Sequence, residues 1–98
     1  NCSAPEAIPA ALEVLATCRV PYGAYANAFE QITDDFLKEK PTVDALKTRR
    51  DLTPEAHAAH VLSWVEQGAT IVGGCCEVGP SHIAEITRSL RAAGHTIV

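Results

Sequence analysis

The stretch Ala69-Thr70-Ile71-Val72-Gly73-Gly74-Cys75-Cys76, followed by Gly79-Pro80-Ser81-His82-Ile83, decides the fold class. Ala69 to Val72 is short, apolar and rich in β-branched residues. It has Gly68 before it and a glycine pair after it, so it reads as a buried strand. Pro80 opens a helix whose stripe is Ile83, Ile86 and Leu90, and Gly94 ends it. Upstream, Thr53-Pro54-Glu55 opens another helix. Thr53 supplies the N-cap oxygen, and Pro54 lacks only an N–H that the first turn leaves unbonded. Ala58, Val61, Leu62 and Val65 give that helix its apolar stripe, with Trp64 beside it and Gly68 stopping it at C′.

At the start of the chain, Ser3-Ala4-Pro5-Glu6 has the pattern of a capping box, with Ser3 as N-cap. Ile8, Ala11, Leu12 and Leu15 then recur at helical spacing, which predicts a helix from about Ala4 to Thr17. Arg19 through Tyr25 reads as a short strand interrupted by Pro21 and Gly23. Residues from about Ala26 to Leu52 show no clean period, and the charged run from Asp34 to Asp51 is expected to be a solvated face. So long a loop is either a functional lid or a surface insertion. The predicted order is helix, strand, loop, helix, strand, helix, which points to βαβ units and a parallel sheet. A parallel sheet needs both faces covered, and two strands cannot support that alone. The pattern favours a piece of a larger α/β protein. The chain has no Met and opens on Asn1-Cys2-Ser3, as a processed chain or a piece of a longer one would.

The 98 residues suit one domain. Eight Lys and Arg against 12 Asp and Glu leave a net charge of −4, which argues against nucleic-acid or anionic-membrane partners. A hydrophobic share of 47% excludes disorder as a description of the whole chain. No apolar run reaches the roughly 18 residues of a membrane span, and no signal peptide is visible. The composition is that of a cytoplasmic protein.

The four cysteines are Cys2, Cys18, Cys75 and Cys76. Two of them are adjacent, which does not suit a dispersed disulfide framework. Cys75 and Cys76 stand at the C-terminal end of a predicted strand. Cys2 precedes a helix start, where the end of another strand would lie. In a (βα)8 barrel all strand C-termini open on one face, where catalytic residues gather. Three thiolates on one rim make a tetrahedral zinc site with one open position, the catalytic kind. Adjacent cysteines on a regular strand point to opposite faces, so both can ligate only if the backbone turns; Gly73-Gly74 is the expected source of that freedom. Spacing alone leaves open the other reading, that Cys75 and Cys76 are small buried residues. Cys18 is expected to be a buried thiol.

Asn1-Cys2 before a Pro-Glu helix start, Tyr25-Ala26-Asn27-Ala28-Phe29-Glu30, Val72-Gly73-Gly74-Cys75-Cys76 and Gly79-Pro80-Ser81-His82-Ile83 together resemble the homocysteine S-methyltransferase family. The resemblance runs from Asn1 to about Leu90, over the last third of that family's homocysteine-binding barrel. It implies the C-terminal part of a (βα)8 barrel, from the end of strand six through helix eight, occupying residues 1–98. It implies zinc held by Cys2, Cys75 and Cys76, with the thiol of homocysteine in the fourth position and methionine as product. The chain departs from the family pattern at Glu77, often Gly, and at Ala26-Asn27, often Pro-Asn.

An S-methylmethionine-like sulfonium is the first expectation for the methyl donor and betaine the second. Asn27 and Glu30 are the expected contacts to the amino-acid part of homocysteine. No residue is expected to act catalytically in its own right, and the piece alone is expected to be inactive. The competing class is a non-catalytic zinc-binding or dithiol redox protein built on Cys75-Cys76. His82 is expected to pack or cap, and His57 and His60 to be solvated or stem-packed. Glu77 is either a partner to a site group or a solvated side chain.

Overall fold

The computed structural model describes residues 1–29 and 49–98. A short 3-10 turn (Pro5–Ala7) leads into α1 (Ile8–Leu15), followed by β1 (Gly23–Ala26), α2 (Pro54–Glu66), β2 (Ile71–Gly74) and α3 (Pro80–Ala92). β1 and β2 are parallel, in the register Gly23↔Ile71, Ala24↔Val72, Tyr25↔Gly73 and Ala26↔Gly74. Ser3 adds a further parallel bridge, to Ala26. The start of the chain, β1 and β2 therefore run side by side in the same direction. This is an α/β arrangement of helices on a small parallel sheet, compatible with part of a larger domain. Among the described residues no helix is long and apolar enough to cross a membrane.

One face of the sheet carries the core. Ala24 and Ala26 point into it, and their small side chains let the helices approach. Ile8 and Leu12 of α1, Ala58, Val61 and Trp64 of α2, and Ile86 and Leu90 of α3 close over them. Trp64 and Val61 are wholly buried. Burying a large side chain contributes about 1.5–3 kcal/mol, so these residues are the main anchors of α2. On the other face, Ile71 remains 48% exposed.

α2 begins and ends as its local signals dictate. The Thr53 hydroxyl accepts the Ala56 N–H at 3.2 Å, and Gly68 stops the helix with φ at +105°, where a Cβ would be strained. Tyr22 ties this end to the sheet, its hydroxyl donating to the Gln67 carbonyl at 2.9 Å.

The first helix start differs from expectation. Ser3 forms an isolated bridge to β1, and its carbonyl accepts the Asn27 N–H at 2.9 Å. The N-cap is Ala4, with no side-chain cap. Pairing with β1 claims the Ser3 backbone, and Glu6 turns instead to Arg49, which donates to its two oxygens at 2.8 and 2.7 Å. Both strands also lie later than their patterns indicate. Val20 and Pro21 sit exposed ahead of β1, and Pro21 has no N–H for a ladder. β2 includes Gly73-Gly74 because the pairing with Tyr25 and Ala26 continues through them. Most of the expected long loop lies outside the described residues.

Candidate metal centre

The C-terminal ends of the three parallel segments meet at one edge of the sheet. Cys2 sits on the first, in the left-handed region with φ at +53°. Such a backbone costs a non-glycine residue roughly 1–2 kcal/mol, so something must hold it. Asn27, just past β1, does so: its Nδ2 donates to the Cys2 carbonyl at 2.8 Å and lies 4.0 Å from Cys2 Sγ. The Asn27 Oδ1 in turn accepts the Phe29 N–H at 3.2 Å, which fixes the amide's orientation.

Cys75 and Cys76 follow β2 and are fastened to the same central segment. The Cys75 N–H donates to the Ala26 carbonyl at 2.8 Å, and the Cys76 carbonyl accepts from Ala28 N–H at 2.9 Å. The chain then turns, with Val78 N–H donating to the Cys75 carbonyl at 3.1 Å. Glu77 takes the left-handed conformation at φ +61°. This turn, rather than the glycine pair, breaks the alternation that would send adjacent side chains to opposite faces. Gly74 serves a different purpose: a Cβ there would overlap the Val78 side chain, which folds back against it.

The result is a triangle of sulfurs. Cys2 Sγ lies 3.9 Å from Cys76 Sγ, and Cys75 Sγ lies 3.8 Å from Cys76 Sγ. All three fall within 4.8 Å of one another. A tetrahedral ion with metal–sulfur bonds of about 2.3 Å has sulfur–sulfur edges of about 3.8 Å. Three cysteines so arranged can hold a metal ion. Cys75 is half-buried, whereas Cys2 and Cys76 are exposed, which leaves the cluster open to solvent on one side.

Electrostatics agree with that use. The Cys2 thiol is held below its ordinary value, chiefly by a hydrogen bond from Cys75, against the opposing effect of burial. Cys76 is pushed up to about 11, first by its hydrogen bond with Cys75 and then by that with Cys2. Crowded sulfurs without a cation resist sharing more negative charge, and a bound cation reverses that preference.

Residues 1–90 match the model of the homocysteine S-methyltransferase family. The chain belongs to that family. No solved structure matches it. For a homocysteine S-methyltransferase family member, the cysteine triangle is the natural centre of interest.

Of the other expected site residues, Asn27 is at the triangle and Glu30 lies outside the described residues. His82 is a cap, its Nδ1 accepting the Gly79 N–H at 3.2 Å. His57 departs from expectation, being wholly buried. Its ring packs edge-on to Trp64 and to His82, with centroids 5.9 and 5.7 Å away. Burial drives its pKa down to about 4, helped by His82 and His60, so it stays neutral. His60 is half-buried and stacks on Trp64, and Cys18 is exposed rather than buried.

Sequence reasoning missed Arg49. Its guanidinium bonds Glu6 and also Asp51, at 3.0 and 2.7 Å, while its N–H reaches the Ala28 carbonyl at 2.6 Å. Both carboxylates are held below their usual range, first of all by the Arg49 hydrogen bonds. A partner 43 positions away leaves no local signal in the chain.

Proposed function

We propose that residues 1–98 are the C-terminal portion of a homocysteine-binding (βα)8 barrel, and that the whole barrel is a cytoplasmic, zinc-dependent homocysteine S-methyltransferase. The observation that carries this reading is the sulfur triangle at the common C-terminal edge of three parallel segments, on a chain of this family. That is the edge where (βα)8 enzymes keep their chemistry. The exposed Ile71 side chain, on the face of the sheet away from the helices, suits a sheet that curves onward into a closed barrel.

In this reading Cys2, Cys75 and Cys76 would hold Zn2+, on a cluster whose Cys2 and Cys76 are exposed to solvent. Zinc supplies Lewis acidity that keeps a bound thiol deprotonated at neutral pH. The protein does the rest. The two hydrogen bonds to β1 and its extension hold Cys75 and Cys76 at fixed height, and Asn27 fixes Cys2 against its own strain. Asn27 and Glu30 are the proposed contacts to the amino-acid part of homocysteine. The homocysteine sulfur supplies the electron pair for the new carbon–sulfur bond. The methyl carbon's bond to the donor's sulfonium or ammonium centre breaks, and that centre leaves with its electron pair as a neutral thioether or amine.

The test is zinc content with sulfur-edge and zinc-edge X-ray absorption on the full-length protein, before and after homocysteine is added. One zinc per chain, with the sulfur shell rising from three to four, is expected. A reduced, folded preparation without zinc overturns the reading.

A further inference from the structure

The turn that carries Cys75 and Cys76 is held from two sides. In front, β1 and its extension bond to both cysteine backbones. Behind, the next free N–H, that of Gly79, is taken by His82 Nδ1 at 3.2 Å. Because Nδ1 accepts, the ring proton lies on Nε2, which donates to the Leu52 carbonyl at 2.9 Å. Leu52 is buried and directly precedes the Thr53 cap of α2. The His82 N–H donates back to the Gly79 carbonyl at 3.1 Å. One imidazole thus spans the exit of the cysteine turn and the entry of the neighbouring helix. Buried His57 packs edge-on against it, which limits its rotation. Both ring nitrogens are engaged, so His82 has none left to ligate a metal or to move a proton.

We propose that His82 is a positioning residue, tying Gly79 to Leu52 so that the Cys75–Cys76 turn is held at bonding distance from Cys2; this rests on the metal-centre reading above. The physical need is plain. Ligand sulfurs must be placed to a few tenths of an ångström, and a turn anchored on one side alone can tilt. Groups that orient metal ligands from outside are typically worth 10–100-fold in metal affinity.

The experiment uses the full-length protein and the variants His82→Ala and His82→Asn. Asn keeps an acceptor near Gly79 N–H but is too short to reach Leu52, so it cuts the tie while leaving the cap. Leu90→Ala, a core change at the far end of α3, controls for lost stability alone. Zn2+ affinity is read by competition with a chromophoric chelator. The thiolate-to-metal charge-transfer band of the Co2+ form reports the ligand set. Amide exchange of Cys75 and Val78 is followed in metal-free protein.

Both His82 variants are expected to bind Zn2+ about tenfold more weakly. Their Co2+ band should be reduced or shifted, and exchange in the turn should be faster. Leu90→Ala should bind as the parent does. A folded His82→Asn with parental affinity, band and exchange overturns the proposal, and that variant decides if His82→Ala fails to fold. If the parent protein binds no Zn2+, the metal reading fails by itself. Exchange then judges the tie: faster turn amides in His82→Asn uphold it, and unchanged ones refute it.

Discussion

Asn27→Ala is the most informative single perturbation of the cysteine triangle. In the parent chain Cys2 occupies the left-handed region at φ +53°, a strain of roughly 1–2 kcal/mol. The 2.8 Å bond from Asn27 Nδ2 to its carbonyl opposes that strain. A neutral hydrogen bond contributes about 1 kcal/mol net, the same size as the strain it offsets. Removing it tips Cys2 toward an ordinary extended backbone, which swings Sγ away from Cys76. The expected cost is 1–2 kcal/mol of metal binding, or roughly 5- to 30-fold in affinity. The assay is competition with a chromophoric chelator under reducing conditions, with urea unfolding of the metal-free protein measured in parallel. Binding of Zn2+ at parental strength in a folded Asn27→Ala protein would refute the argument. Asn27→Asp sharpens it, since a carboxylate beside the Cys2 carbonyl replaces attraction with repulsion and should bind less well still.

Cys76→Ser removes the sulfur that both others approach, and stoichiometric Zn2+ binding should be lost while the helical circular dichroism persists. Retained stoichiometric zinc would sink the three-ligand assignment. His57 makes stability fall with acid. An unfolded histidine takes its proton near pH 6.5 and the buried one only near 4, so the unfolded chain binds more protons between those values. Stability is complete above about pH 6.5 and declines by about 1.4 kcal/mol per unit below it, approaching 3 kcal/mol at pH 4. Urea midpoints at pH 7 and pH 5 should converge for His57→Leu relative to the parent, and an equal gap at both would disprove this origin. Gly74→Ala drives a methyl into the Val78 side chain. It should destabilise by about 1–3 kcal/mol and weaken metal binding as the cysteine turn shifts, which calorimetry and the same competition assay would register.

The second and third helices were legible because their ends are written locally. Thr53-Pro54, Gly68, Pro80 and Gly94 act within one turn of themselves, and each stands where its chemistry requires. The three cysteines could be placed at strand ends on one edge, with the family resemblance singling them out as candidate ligands, and the parallel sheet followed from the alternation of elements. Other features depended on partners far along the chain. Ser3 has the chemistry of a cap, yet pairing with Ala26 takes its backbone. Val20 and Gly73-Gly74 have local preferences opposite to their states, because sheet register is decided between strands. His57 looks like a surface residue of an amphipathic helix. It is buried because α3 brings His82 against it.

The sequence by itself determined where the second and third helices start and stop, that the strands are parallel, and which three thiols are candidates for one ion. Only the tertiary structure decided that those thiols converge. Cys2 and Cys76 are 74 positions apart, and what brings their sulfurs to bonding distance of one centre is the β1 backbone between them. Asn27 holds one, and the Ala26 and Ala28 peptides hold the other two. Backbone hydrogen bonds carry no residue code, so the element that assembles the site leaves the least trace in the chain.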